Sequence, residues 1–345
     1  MIPEKLMSQY REICTKYPSL ILCRVISQEK GRYCLSYENG ELQAVLSGKF
    51  RYTAKSPLDY PAVGDYLLAD FNEDDISVIH YLLPRKSVFL RKAAGTASVL
   101  QVVSANIDTL LLCMALNSDF NLRRLERYLS VGWESGATPV VVLTKSDLCD
   151  NLGQKLSLVR SAAIGVDIVV TSSTETDGYL ALLPYLDPDK TVAFLGSSGV
   201  GKSSLINRLL GKNRLKTNDL RNDRKGRHTT THRELFTLPN GSFVIDTPGM
   251  RELGLWNIGE GLETAFSDID ALSSRCRFKN CSHNSEPGCA IRAALQNGSL
   301  SKERWQSYKK LAAESAFTTD TESYLAAKEQ KFKNIAKYNK ANRKK

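Results

Sequence analysis

At 345 residues the chain is too long for one ordinary hydrophobic core, so two or three domains are expected. Its 42% hydrophobic and 24% charged residues describe a folded protein carrying a net charge of +10, not a disordered or low-complexity one. The longest apolar run, near Leu110 to Leu116, falls well short of the ~20 residues of a membrane span. The start, Met-Ile-Pro-Glu-Lys, lacks the charged and apolar regions of a secretory signal. The expectation is a soluble, cytoplasmic protein with no membrane partner.

From Leu20 to Leu83 the pattern is of short strands and turns: Leu20 to Ser27, Arg32 to Tyr37, Glu41 to Leu46, Asp65 to Asp70 and Val78 to Leu82. Lys30-Gly31, Asn39-Gly40 and Pro61-Ala-Val-Gly64 separate them. Five strands in this length fit an OB-like β-barrel, placed at residues 1–85 with an N-terminal extension. Such barrels often bind nucleic acid, although fold alone does not fix function. Beyond the barrel, Arg85, Lys86, Arg91 and Lys92 signal a basic linker, residues 86–98.

Strands and helices then alternate over residues 99–257, predicting a doubly wound P-loop α/β domain. Expected strands are Asp108 to Leu116, Pro139 to Leu143, Val166 to Val170, Thr191 to Leu195 and Ser242 to Ile245. Helices are expected at Leu122 to Ser135, Leu152 to Ile164 and Lys202 to Leu210.

A phosphate-binding loop joins one of these strands to the next helix: Gly196, Ser197, Ser198, Gly199, Val200, Gly201, Lys202 and Ser203, followed by Ser204. In the pattern GxxxxGK[ST] the backbone amides cradle phosphates, the lysine reaches the β/γ oxygens and the hydroxyl binds Mg²⁺. Lys202 therefore counts as both binding and catalytic. Asp246-Thr-Pro-Gly249 follows a strand, with Asp246 suited to Mg²⁺ and Gly249 to close approach of the γ-phosphate. Between them Gly226-Arg-His-Thr-Thr-Thr231 fits a segment that orders when a threonine reaches Mg²⁺, with Thr230 the central candidate among Thr229, Thr230 and Thr231.

Thr144, Lys145, Ser146 and Asp147 form a guanine-reading tetrad, because a carboxylate there accepts hydrogen bonds that guanine donates and adenine does not. Ser172 and Ser173, after the next strand, fit the second base-contacting loop. The tetrad precedes the phosphate loop in the chain, which is a circular permutation. Guanine nucleotide with Mg²⁺ is the implied ligand.

Residues 258–345 open irregularly, become cysteine-rich and then turn helical and basic from Ser301. Cys276, Cys281, His283 and Cys289 supply the Cys₃His set of a closed structural zinc site. Between 302 and 345 twelve Lys and Arg face five acids, a basic arm suited to a polyanion or to simple solvation.

Together these features resemble the circularly permuted ribosome-small-subunit-dependent GTPase A family, also called YjeQ-type. The resemblance rests on Pro61-Ala-Val-Gly-Asp65, Leu90-Arg-Lys-Ala-Ala-Gly95, the permuted motifs and the zinc ligands, and covers nearly the whole chain. It implies an N-terminal OB-like barrel, a permuted GTPase domain and a C-terminal zinc-binding helical domain. It also implies ribosome-stimulated GTP hydrolysis during late maturation of the small ribosomal subunit, with barrel and zinc domain gripping its rRNA; a monomer is expected. Two departures stand out. Thr144 replaces the asparagine of NKxD, and Met250 stands where many GTPases carry a water-orienting glutamine. His228, beside the threonines, is the candidate to orient or deprotonate water in its place. The alternatives are a non-enzymatic rRNA-binding assembly protein with a vestigial nucleotide site and an ATP-dependent enzyme.

Overall fold

The computed structural model describes residues 4–72, 75–92, 100–172, 174–175, 177–215, 233–246 and 259–316. The chain divides into two compact units, Met1–Leu253 and Gly254–Lys345. Among the described residues no helix is long and apolar enough to cross a membrane.

The first unit opens with α1 (Glu4–Lys16) and then builds a closed five-stranded barrel. Its strands are β1 (Ile21–Glu29), β2 (Arg32–Tyr37), β3 (Gly40–Leu46), β4 (Tyr66–Ala69) and β5 (Ser77–Leu82), with α2 (Gly48–Thr53) between β3 and β4. Pairing runs β1–β2–β3–β5–β4 and closes from β4 back to β1; β3–β5 is the parallel pair. Alternation along each strand fills the interior: Cys23 and Val25, Tyr33 and Leu35, Leu67 and Ala69 all point inward. The opposite face of β4 is also apolar. Tyr66 and Leu68 pack with Tyr10 of α1 and with Leu83, and the Tyr10 hydroxyl donates to the Pro84 carbonyl at 2.8 Å. That packing gives the N-terminal extension a place in the fold.

The segment after Pro84 departs from the expected linker. Val88–Lys92 is a strand, β6, paired antiparallel with β7 (Leu100–Ala105). The flanking charges suggested a linker, but the strand's Phe89 is buried.

The α/β part comes next: β8 (Thr109–Ala115), α3 (Leu122–Glu134), β9 (Thr138–Thr144), α4 (Leu152–Ala162), β10 (Asp167–Val170), β11 (Thr191–Gly196), α5 (Lys202–Leu210), β12 (Glu234–Thr237) and β13 (Phe243–Asp246). Strands β10-β9-β8-β11-β13 are mutually parallel, and β12 adds an antiparallel edge. Near-continuous burial of β8, β9 and β11 is what a sheet covered on both faces requires. Strand β12 also meets β1 at Glu234 and Ser27, so the sheet continues into the barrel. At this junction Arg24 is buried, donating from Nη2 to Thr191 Oγ1 at 2.6 Å between the rings of Tyr66 and Phe243.

The second unit holds α6 (Gly259–Ala265), α7 (Ser267–Ser273), α8 (Ala290–Asn297) and α9 (302–316). The stretch after Asn257 was expected to be irregular, but α6 and α7 occupy it. Each has seven residues, too few to show a helical period in sequence. Phe266 centres this small core, and Arg304 covers its ring while gripping Asp268 at 2.7 and 2.6 Å. The last stretch of the basic arm, residues 317–345, lies outside the described residues.

Candidate nucleotide and metal sites

The phosphate loop begins where β11 runs alongside β8. A side chain at Gly196 would place its Cβ 2.6 Å from the Cys113 carbonyl oxygen, so only glycine permits the approach. Gly201, at φ +107°, turns the loop into α5, whose first residue is Lys202. The amides of Ser197 to Gly201 thus lead into a helix N-terminus, a setting that favours anions.

Lys202 is buried and its Nζ donates to the carbonyl oxygens of Gly196 and Ser197 at 2.7 and 2.8 Å. Burial lowers its pKa, opposed by Cys113 and by Asp246. Asp246, at the end of β13, is buried too; desolvation raises its pKa while Lys202 draws it down. An ammonium and a carboxylate are therefore held in partial dehydration beside the loop, where a polyphosphate and its cation would compensate both. Ser203 and Ser204 follow Lys202 on the first turn of α5.

The tetrad starts at the end of β9. The Thr144 hydroxyl donates to the Val200 carbonyl at 2.6 Å, a buried bond that ties the tetrad strand to the phosphate loop. Lys145 takes a left-handed conformation, φ +58°, and a short 3₁₀ turn then carries Ser146 and Asp147. The Asp147 carboxylate accepts from Ser172 Oγ at 2.6 Å, and the Ser146 amide donates to the Thr171 carbonyl at 3.2 Å. The structure thus brings together Thr144, Lys145, Ser146, Asp147 and Ser172 from the ends of two neighbouring parallel strands, and joins them to Val200.

Ser173, His228, Thr229, Thr230, Thr231, Gly249 and Met250 lie outside the described residues.

Sequence reading missed Asp119. It follows β8, accepts from Ser197 Oγ at 2.7 Å, and is clamped by Arg124, whose Nη1 and Nη2 reach it at 2.9 Å. Burial raises its pKa, but Ser197, Arg124 and the charge of Lys145 outweigh burial and hold it below the ordinary carboxylate value. A polar residue just beyond the carboxyl end of a parallel strand was the available signal, since ligands of open α/β sheets bind at that end.

In the second unit Cys276, Cys281, His283 and Cys289 converge, with all four donor atoms within 4.8 Å of one another. His283 Nδ1 stands 3.5 Å from both Cys276 Sγ and Cys289 Sγ. A tetrahedral zinc ion, bonded at about 2.3 Å to sulfur and about 2.05 Å to nitrogen, separates such atoms by about 3.6 Å, so the donor set fits that ion. The other ring nitrogen, Nε2, lies 3.2 Å from Ser273 Oγ, a hydroxyl that can accept its proton when Nδ1 binds a metal.

Desolvation opposes ionisation of Cys276, but the Ala290 and Ile291 amides at the start of α8 outweigh it and lower its pKa. Desolvation and the adjoining thiols push Cys281 up to about 11. Three sulfurs this close resist joint ionisation until a cation joins them.

A family model described as RsgA GTPase matches residues 82–256. The chain is 48% identical over 304 residues to small ribosomal subunit biogenesis GTPase RsgA 2 of Lactiplantibacillus plantarum, covering 88% of this chain and 86% of that one. It is 43% identical over 330 residues to small ribosomal subunit biogenesis GTPase RsgA 1 of Oceanobacillus iheyensis, covering 94% and 93%. Among solved structures it is similar to YjeQ from Thermotoga maritima, with a TM-score of 0.65 and 26% identity over 86% of this chain and 98% of that one. It is also similar to YloQ, a circularly permuted GTPase, with a TM-score of 0.61 and 25% identity over 88% and 96%.

Proposed function

The chain belongs to the RsgA GTPase family, and from that premise we propose that it hydrolyses GTP on the small ribosomal subunit during the subunit's late maturation. The relatives' printed names support the ribosomal setting. The observation that carries the nucleotide reading is the junction of three loops. Thr144 bonds to Val200 and Ser172 bonds to Asp147, so hydrogen bonds join the tetrad to both the phosphate loop and the loop after β10.

Guanine is read by Asp147, steadied by Ser172, with Ser173 completing that loop. The amides from Ser197 to Gly201 bind phosphate oxygens, and Lys202 exchanges its two carbonyl acceptors for the β/γ oxygens. Ser203, Asp246 and Thr230 hold Mg²⁺, which supplies charge compensation for the leaving phosphate when bound. Gly249 lets the backbone approach the γ-phosphate, and His228 orients the attacking water when the subunit clamps its segment. Cys276, Cys281, His283 and Cys289 hold one zinc ion that stabilises the C-terminal fold. The barrel and the zinc-bearing domain grip rRNA, and the protein acts as a cytoplasmic monomer. Its domains span residues 1–85, 99–257 and 258–345, and 86–98 joins the first two, with β6 paired to β7.

The test is Lys202→Ala. The substitution removes phosphate charge compensation and is expected to abolish hydrolysis. Unchanged GTP turnover in the purified variant overturns the reading of this loop. His228→Ala is expected to lose subunit-stimulated turnover while GTP affinity and subunit binding persist.

A further inference from the structure

We propose that Glu286 is the positioning residue of the Cys276, Cys281, His283 and Cys289 metal site: it holds the loop that presents His283, and so governs how tightly the site keeps its ion. The inference rests on reading the cluster as a zinc site.

The loop from Cys281 to Glu286 folds around the Glu286 carboxylate. One oxygen, Oε1, accepts from the Ser282 amide at 2.8 Å and from the Ser282 hydroxyl. The other, Oε2, accepts from the amides of Asn284 and Ser285 at 3.0 and 3.1 Å. Three of four successive amides therefore converge on one carboxylate. The exception is His283, whose amide is not among them.

That split stems from the backbone. His283 sits at φ +60°, the left-handed region that a side chain with a Cβ occupies at a cost. The turn at His283 aims its neighbours' amides at Glu286. Without that shared acceptor the loop would lose all three of its amide-to-carboxylate bonds, keeping the Asn284 to Ser282 side-chain bond. His283 would relax, and Nδ1 would leave its position 3.5 Å from Cys276 and Cys289.

Glutamine is the informative replacement. It matches glutamate in size, but its amide nitrogen is a donor. Either the Ser282 amide or those of Asn284 and Ser285 would then face a donor rather than an acceptor. Glu286→Asp keeps both oxygens on a stem one methylene shorter. Glu303, an exposed acid on α9, serves as a charge control through Glu303→Gln.

The experiment uses the full chain purified without chelator. Zinc per chain is measured, then the rate of zinc transfer to 4-(2-pyridylazo)resorcinol, and then the visible absorption of the cobalt(II)-substituted protein. The native chain and E303Q are expected to hold one zinc and release it at one rate. E286Q is expected to release it roughly 10- to 100-fold faster, the span known for residues that orient metal ligands, with an altered cobalt ligand-field spectrum. E286D is expected to fall between. Basal GTP turnover, which belongs to the other unit, serves as the folding control and is expected to be unchanged.

Native-like release and cobalt spectra in E286Q overturn the proposal while leaving the zinc reading intact. If E286Q does not fold, a native rate in E286D overturns it equally. A native chain without zinc overturns the metal reading, and the proposal with it.

Discussion

Thr144 donates its hydroxyl to the carbonyl oxygen of Val200 across 2.6 Å, linking the strand that ends in the tetrad to a phosphate loop 56 residues further along the chain. Thr144 stands where the NKxD pattern has asparagine. Here the one donor of threonine is committed to the loop, so the brace is kept.

Thr144→Val keeps the shape and removes the donor, leaving a buried carbonyl without its partner. Such a loss costs about 1–3 kcal/mol, or roughly a 5- to 150-fold weakening of GDP and GTP binding. Thr144→Ser, which retains the hydroxyl, is expected to bind nearly as the native chain does. Titration with a fluorescent GDP analogue measures both, and equal affinity in the valine variant would contradict the brace.

Ser172 holds Asp147 by a 2.6 Å hydrogen bond. Ser172→Ala is therefore expected to loosen the carboxylate and narrow the preference for GTP over ATP, without touching the phosphate loop. Asp147→Asn is expected to shift preference toward xanthine nucleotides, whose C2 oxygen needs a donor. Competitive displacement of labelled GDP by GTP, XTP and ATP separates these outcomes. A native ranking in the asparagine variant would show that Asp147 does not read the base.

Asp108 ties the start of β8 to its surroundings, accepting from Lys86 Nζ at 2.7 Å, Lys190 Nζ at 3.3 Å and the Thr191 amide at 2.8 Å. Burial raises its pKa, but these partners outweigh burial and hold the carboxyl below its ordinary 3.8. A depressed folded pKa contributes stability that is fully present above 3.8 and is lost as pH falls through the folded value. Both lysines are partly solvated, so Asp108→Asn is expected to cost only about 1–2 kcal/mol at pH 7. Urea unfolding of both proteins from pH 7 downward should show the difference shrinking below 3.8. A difference that stays constant would contradict the ion-pair account.

The barrel and the parallel sheet were legible because burial writes itself into sequence as period. Arg32–Tyr37 and Lys202–Leu210 match their expected bounds, and the runs in β8 and β9 are apolar because both faces are covered. Features without a period were not legible. Helix α1 owes its place to Tyr10 packing on Tyr66 and Leu68, a contact between distant segments. Strand β6 was hidden because Arg85, Lys86, Arg91 and Lys92 surround its short apolar run. In the sites the motif residues announced themselves by spacing, but their supports did not. Asp119, Ser273 and Glu286 act through hydrogen bonds that the fold creates, to Ser197, His283 and the metal loop respectively.

The most direct test of the whole account is turnover by the purified chain with GTP or ATP, each with and without small ribosomal subunits. The account predicts slow release of phosphate from GTP alone, a marked rise when subunits are added, and none from ATP under either condition. Equal turnover of ATP and GTP, or GTP turnover indifferent to the subunit, would contradict it.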